Sequence, residues 1–461
     1  MKTNFLLLFI MLTARLFSQN YFNRLYNYDS YGNFANTGYE YNNGDYLIAG
    51  QKTSVGGIGS LYFIRINSLG DTIYSKRYPK LNHYRYCGAS GSLIKSLDNN
   101  LILSGADLDS SFSYNALLVK LTEAGDTLWT KTYGGANFDN ANIVHQTADS
   151  GFVLMGVTQS FSVGTASDFY MIRTDKNGNF LWQKTYGTSA TEDCVSGQIT
   201  LDGGFILSGH RNDQLHIVKT DSAGNFQWEK VYPGTAGQGF IKQLADSSYI
   251  LVGAKYITAS VYKAYMAKLT KTGNIIWQNT YGGVGNQQFY AIPIVLNDGS
   301  IVCSGASINS SVWGMLVKVD SLGNQQWLRT YYANSSGNNY VYDVKHTSDN
   351  GFIMVGSGNV SGQDAWVVKV DEFGCEVSNC NVGVEEYKGE SSIISVYPNP
   401  SNSVITIITN EPTQIKIINM LGEVVLEKQV QNQEIIDIKN LSSGIYFIQT
   451  KEGYSIKLIK N

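Results

Sequence analysis

Apolar residues along this chain fall in short runs, each closed by a turn rich in Gly, Asn, Asp or Ser, which is the signature of strands joined by tight turns. One kind of run follows an Asp turn and ends in glycine: "DSGFVLMG" (149–156), "DGGFILSG" (202–209), "DSSYILVG" (246–253), "DGSIVCSG" (298–305) and "DNGFIMVG" (349–356), with weaker copies ending at Gly50 and Gly105. A second kind carries one basic residue, at Arg65, Lys120, Arg173, Lys219, Lys268, Lys318 and Lys369. The third, typified by "KNGNFLWQKTYGT" (176–188), opens on a turn glycine and contains a tryptophan and a Tyr-Gly.

The turn glycines of the third phrase stand at 70, 125, 178, 224, 273, 323 and 374, so the repeat has a period near fifty residues. That period predicts blades of a propeller or an array, each built of four short strands. The first three strands of the repeat occur seven times, but after Gly374 the tryptophan strand is missing and "CEVSNC" follows instead. "NYFNRLYNY" near the start of the chain puts Phe22 and Tyr26 at the spacing of Trp182 and Tyr186. The expectation is an all-β chain: a seven-bladed β-propeller over residues 19–380, closed by an N-terminal strand that completes the seventh blade and leaves no open edge.

Composition agrees with many strands and glycine turns: 31 Tyr and 47 Gly against 6 Pro. The charge balance, 34 Lys+Arg against 37 Asp+Glu, supplies no field for nucleic acid or an anionic membrane. "MKTNFLLLFIMLTARLFSQN" has the basic start, short apolar run and polar end of a secretory signal over residues 1–18, and no later stretch is long enough to span a bilayer once it is removed. Cys375 and Cys380 in "EFGCEVSNC" are close enough for a small disulfide loop, while Cys303 reads as a buried apolar residue. The repeated plan over roughly residues 20 to 380 resembles tryptophan-containing seven- or eight-bladed propellers, including the quinone-dependent type. The quinone family's docking phrase is absent, since "VKTDSAGNFQW" has a shorter turn and lysine in place of alanine, so no cofactor is carried over.

After a polar linker, 381–392, the composition changes. From 393 to 461 the chain carries Tyr397-Pro398-Asn399-Pro400, a central "INMLGEVV", the run "IIDIKNLSSGIYFIQT" with Gly444 and Tyr446, and a lysine-rich last strand. This tail resembles a type A sorting domain of the type IX secretion system. The resemblance implies export across the outer membrane of a Bacteroidetes-type bacterium and the type IX machinery as partner. The alternating runs between "PNPSN", "NEP", "LGE" and "SSG" independently predict a small immunoglobulin-like β-sandwich.

Candidate chemistry falls on one face. The turns between first and second and between third and fourth strands are short and uniform, whereas the other connections vary from "GHRNDQL" to "GVTQSFSVGTASD", and variable loops on a rigid scaffold are where binding resides. Polar residues placed to open each first strand, Tyr84, Asp139, Glu192, Asp193, Gln238, Gln287 and Asn338, are expected to ring a central channel, with Trp313, Tyr86, Phe138 and Phe161 as exposed aromatics for stacking on sugars. "DKNGN" (175–179) begins like a calcium loop but lacks its closing glutamate and repeats in most blades, so it reads as a hairpin turn. No metal-ligating histidine pair, nucleophile elbow or phosphate loop is present. The basic residue of the third strand is expected to pack its stem between blades. The functional expectation is an exported, noncatalytic binding or adhesion module for an extracellular glycan or protein, with a carbohydrate-active enzyme using Asp139, Glu192 and Asp193 as the alternative.

Overall fold

A computed structural model describes residues 20–26, 32–52, 59–78, 84–108, 113–335, 337–359, 363–377, 394–409, 411–419, 423–450 and 455–461. The expected signal segment 1–18, the linker 381–392 and Cys380 lie outside the described residues. The chain divides into two compact units, Met1–Cys380 and Asn381–Asn461. Every described element is a strand, and no helix among the described residues is long and apolar enough to cross a membrane.

In the first unit the strands form seven antiparallel sheets of four or five strands. The repeat of residues 139–186 shows the plan. Asp139–Gln146 pairs with Phe152–Thr158, which pairs with Asp168–Thr174, which pairs with Phe180–Tyr186. The two middle strands are buried along their whole length, whereas the fourth, which carries the tryptophan, is half exposed. This is why the middle strands read as continuous apolar runs. The sheet formed by Tyr340–His346, Phe352–Asn359 and Gln363–Val370 takes its fourth strand from the other end of the chain, Phe22–Tyr26, with Phe22 opposite Lys369 and Tyr26 opposite Ala365. A core cluster of Phe22, Tyr26, Ile48, Tyr62, Ile353 and Val367 joins the first sheet to this last one.

Each recurrent phrase has a physical task. The tyrosine ending the fourth strand donates its hydroxyl to the carbonyl of the turn glycine in the next sheet: Tyr133 to Gly178 at 2.6 Å, Tyr186 to Gly224 at 2.6 Å, Tyr232 to Gly273 at 2.8 Å, Tyr281 to Gly323 at 2.7 Å and Tyr331 to Gly374 at 2.8 Å. Tyr78 does the same to Gly125, and Tyr26 of the N-terminal strand does so to Gly70 at 2.7 Å. The preceding tryptophan lies over that same turn. At Gly224, where φ is 75°, an added Cβ would sit 3.0 Å from Trp182. Turn and strand chemistry therefore meet across neighbouring sheets. Within "DKNGN", Asp175 accepts from the backbone of Asn177 and Asn179, both at 2.8 Å, which makes it the expected hairpin turn.

The glycine ending the second strand has another cause. The first strand carries a bulge there, between Ala35 and Thr37, Ala141 and Ile143, Cys194 and Ser196, and Val341 and Asp343. Its carbonyl crosses so close that a Cβ at Gly156 would meet the Asn140 oxygen at 2.1 Å. In two sheets the bulge grows into an insertion, between Tyr84–Cys87 and Leu93–Lys95 and between Asn286–Phe289 and Ile294–Val295.

The basic residue of the third strand differs from expectation. Instead of only packing its stem, it pairs with the aspartate of the first turn in its own sheet: Arg65 with Asp45 at 3.0 Å, Arg173 with Asp149 at 2.5 Å, Lys219 with Asp202 at 2.9 Å, Lys268 with Asp246 at 3.2 Å and Lys369 with Asp349 at 2.9 Å. A buried ammonium such as Lys369 needs that partner, because an unpaired charge inside protein is costly.

The second unit has a sheet of Ile394–Tyr397, Val404–Thr409 and Gln433–Asp437 and another of Val424–Val430, Thr413–Asn419, Gly444–Thr450 and Ser455–Lys460. Both contribute to one core containing Ile405, Ile407, Ile415, Ile417, Ile436, Ile448 and Leu458.

Candidate functional site: an aromatic bowl

Six of the seven sheets send residues into a cavity of about 720 Å³ on the variable-loop face. One wall carries Tyr84, Tyr86, Tyr114 and Phe138, whose neighbouring rings are 5.5–6.4 Å apart. The other carries Tyr290, Tyr340 and Tyr342; the last two stack in parallel at 5.8 Å, and Tyr290 meets both edge-on at 6.2 Å. Amide side chains lie between the walls: Asn36 and Gln51 from the first sheet, Asn142 from the third and Gln238 from the fifth. Period-two alternation explains the tyrosine pairs, since Tyr84 and Tyr86 in "YRYC", and Tyr340 and Tyr342 in "YVYD", face one side of their strands.

The floor is the first of the two insertions. Gly88, Ala89 and Ser90 line the cavity. The Ala89 amide donates to the Asn142 carbonyl at 2.9 Å, the Ser90 hydroxyl donates to Asp343 at 2.6 Å, and the Ile292 amide donates to the Ser90 oxygen at 3.3 Å. The segment is thus tied to the third, seventh and sixth sheets. Asp343, fully buried beneath it, also accepts from the Thr37 hydroxyl and the Gly38 amide, at 2.8 and 3.1 Å, and pairs with Lys345 at 3.0 Å.

The lining has no Asp, Glu, Lys, Arg or His among the described residues. Burial pushes the phenols of Tyr84, Tyr86, Tyr290 and Tyr342 above their ordinary value, so they remain neutral donors at physiological pH.

Of the residues singled out from sequence, Tyr84 and Gln238, with Tyr86 and Phe138, meet in this bowl. Asp139, Glu192 and Gln287 are not on it. All three are fully buried and hold the loops that enter the first strands. Asp139 accepts from the Ser160 hydroxyl at 2.6 Å and the Gly135 amide at 2.8 Å. Glu192 accepts from the Thr188 hydroxyl and Arg211, both at 2.7 Å, and Gln287 donates to the Val284 carbonyl at 2.8 Å. The expected cluster of Asp139, Glu192 and Asp193 is divided among different partners, because Asp193 accepts from the Ser167 hydroxyl at 2.6 Å. Asn338 is exposed, and its neighbour Asn339 does the loop-holding, accepting from the Ala333 amide at 3.0 Å. Trp313 packs against Tyr332 with ring centres 5.8 Å apart, and Phe161 against Tyr170 at the same distance. Sequence reasoning missed Tyr114, Tyr290, Tyr340, Tyr342, Asn36, Gln51 and Asn142. The Tyr-x-Tyr pattern at the head of two first strands was the available signal.

Among the cysteines, Cys87, Cys194 and Cys303 are free and buried, and burial raises each thiol well above its ordinary value. Cys375 is buried at the end of the last turn, where its amide donates to Asp371 at 2.7 Å.

In the second unit, the Asn399 side chain both donates to the Lys457 carbonyl at 2.6 Å and accepts from the Ile459 amide at 2.8 Å. The Tyr-Pro-Asn-Pro motif thereby ties the start of the unit to its last strand. Tyr446 is buried and its hydroxyl donates to the Ser442 carbonyl at 2.9 Å, two residues before Gly444 opens the strand.

Residues 395–461 match the family model described as a secretion system C-terminal sorting domain. The tail is therefore a type IX sorting domain, and the protein is one sent to the cell surface or the extracellular space through the type IX machinery. No curated protein matches the sequence. Similar solved structures include a protein of unknown function from Bacteroides caccae, 13% identical over 61% of this chain and 93% of that one with a TM-score of 0.37. Sqt1 from Chaetomium thermophilum is 10% identical over 71% of this chain and 80% of that one, at 0.44. A mutant NanB sialidase from Streptococcus pneumoniae is 9% identical over 76% and 68%, at 0.42. At these scores the likenesses carry no functional assignment.

Proposed function

We propose that the exported part of this protein is a noncatalytic binding or adhesion module that takes a glycan in the aromatic bowl. The observation that carries this reading is the lining: eight aromatic rings and four amides, with no carboxylate among the described residues. Aromatic faces suit the CH faces of sugars, and amides suit hydroxyl groups, which both donate and accept. A glycosidase needs two carboxyl groups flanking the scissile bond. Asp139 and Glu192 are buried and occupied with loop donors, so they support the enzymatic alternative poorly.

We further propose that the seven sheets are blades of one closed propeller over residues 19–380, completed by the N-terminal strand, and that the tail from 393 is a β-sandwich. The seven tyrosine-to-glycine bonds, running from each sheet to the next and from Tyr26 back to Gly70, support the closed ring. Cys375 and Cys380 are the two cysteines left once the three free thiols are set aside, which supports a disulfide ending the propeller. Removal of the signal at residue 18 completes the scheme.

Glycan-array binding followed by a product assay tests the function. Binding without release of reducing ends, lost in Tyr340→Ala, is the expected result. Turnover abolished by Asp139→Asn or Glu192→Gln would overturn it in favour of the enzyme.

A further inference from the structure

We infer that the bowl takes an uncharged saccharide by its chain end, and this rests on the glycan-binding reading above. Three observations carry it. The first is the floor: Gly88–Ser90 is bonded to three sheets besides its own, so a ligand entering between the tyrosine walls meets a stop and cannot thread through. A chain lying across the face would touch only the rim, whereas a ring inserted end-on is held between Tyr84–Tyr86–Tyr114 and Tyr290–Tyr340–Tyr342.

The second is size. At about 720 Å³ the cavity lies within the range of roughly 300–1,000 Å³ that encloses a drug-sized ligand, which is room for about two or three sugar rings. Longer chains must leave the rest in solvent.

The third is charge and hydrogen bonding. Among the described residues the lining offers no cation to a carboxylate or sulfate, and the buried Asp343 under the floor is a carboxylate already bonded to Ser90, Thr37 and Lys345. An anionic sugar placed there would lose its hydration with no compensating charge. A hydroxylated ring meets what it needs, because the amides of Gln51 and Gln238 line the bowl and an amide can both donate and accept.

Calorimetry of the full chain with linear gluco-, manno- and xylo-oligosaccharides of increasing length tests this, alongside the matching polysaccharides of known chain-end content. For the sugar that binds, affinity should rise at least tenfold up to three units and then stay within about twofold, and the polysaccharide should bind one protein per end. Tyr84→Ala and Tyr340→Ala, on opposite walls, should each weaken binding at least tenfold while the protein melts as a single cooperative unit. Several proteins per polysaccharide chain, or affinity still climbing beyond four units, would overturn the end-on reading while leaving glycan binding in place. Binding of sulfated or uronic-acid glycans with no uncharged one would overturn the neutrality claim alone. Failure of every glycan, charged or not, would sink the underlying function as well.

Discussion

The hydroxyl of Tyr186 does one thing, donating to the Gly224 carbonyl in the neighbouring sheet from a buried position. Tyr186→Phe should therefore cost about 1 kcal/mol, the usual net worth of such a bond, read as a shift in the urea midpoint with no change in slope. Gly224→Ala should cost more, about 1–3 kcal/mol, because it adds backbone strain at φ 75° to a tight approach to Trp182. The phrase carrying these residues was readable as a repeat, but the bond it makes was not. Donor and acceptor lie 38 positions apart, and only packing between sheets brings them together. Asp139 and Glu192 fail as mouth residues for a related reason. A polar residue at the head of a strand looks the same in sequence whether it faces solvent or satisfies the amides of a loop, and here the loops enclose it.

At the level of strands, Phe22–Tyr26 is the clearest test of how the first unit is held together. Deleting residues 20–26 removes the partner of Gln363–Val370 and uncovers Ile353 and Val367, so thermal denaturation should move down by many degrees. A deletion variant melting like the parent would refute ring closure. The turn-to-strand ion pairs set a pH dependence. The Thr147 hydroxyl, helped by Arg173, holds Asp149 down at about 2. At Asp202, Thr200 and Lys219 outweigh burial to hold it at about 2. Both folded values lie below the ordinary carboxylate value, so their contribution is fully present above about pH 4 and is lost as pH falls through about 2. Melting temperature should fall across that window, and the fall should be shallower in Asp202→Asn. The pair of Lys369 and Asp349 is the buried extreme: Asp349→Ala strands an ammonium inside the sheet and should cost about 3–5 kcal/mol by chemical denaturation. The seven basic residues were visible in sequence, as were the seven turns, but their pairing depends on how the third strand registers beside the first turn.

For the whole molecule, the sorting domain lies in the second unit and the bowl in the first, so export and the proposed binding can be tested separately. Truncation after Glu390 removes the sorting domain and should leave the remainder in the periplasm, as judged by fractionation and surface proteolysis; continued surface display would contradict the assignment. Because the bowl holds no carboxylate, imidazole, ammonium or guanidinium among the described residues, glycan affinity should change less than about twofold between pH 5 and 8.

The repeat period, the all-β class, the strand borrowed from the N-terminus and the sorting tail were all legible in the order of residues. Each depends on local chemistry that recurs: a turn glycine, an apolar run of fixed length, a Tyr-Pro-Asn-Pro phrase. The bowl was half legible, through Tyr84, Tyr86, Phe138 and Gln238. Its other wall, its amides and above all its floor were decided only by tertiary structure. Building that floor required an expanded bulge in one first strand to reach three other sheets, and residues 90 and 343, joined there by one hydrogen bond, lie 253 positions apart in the chain.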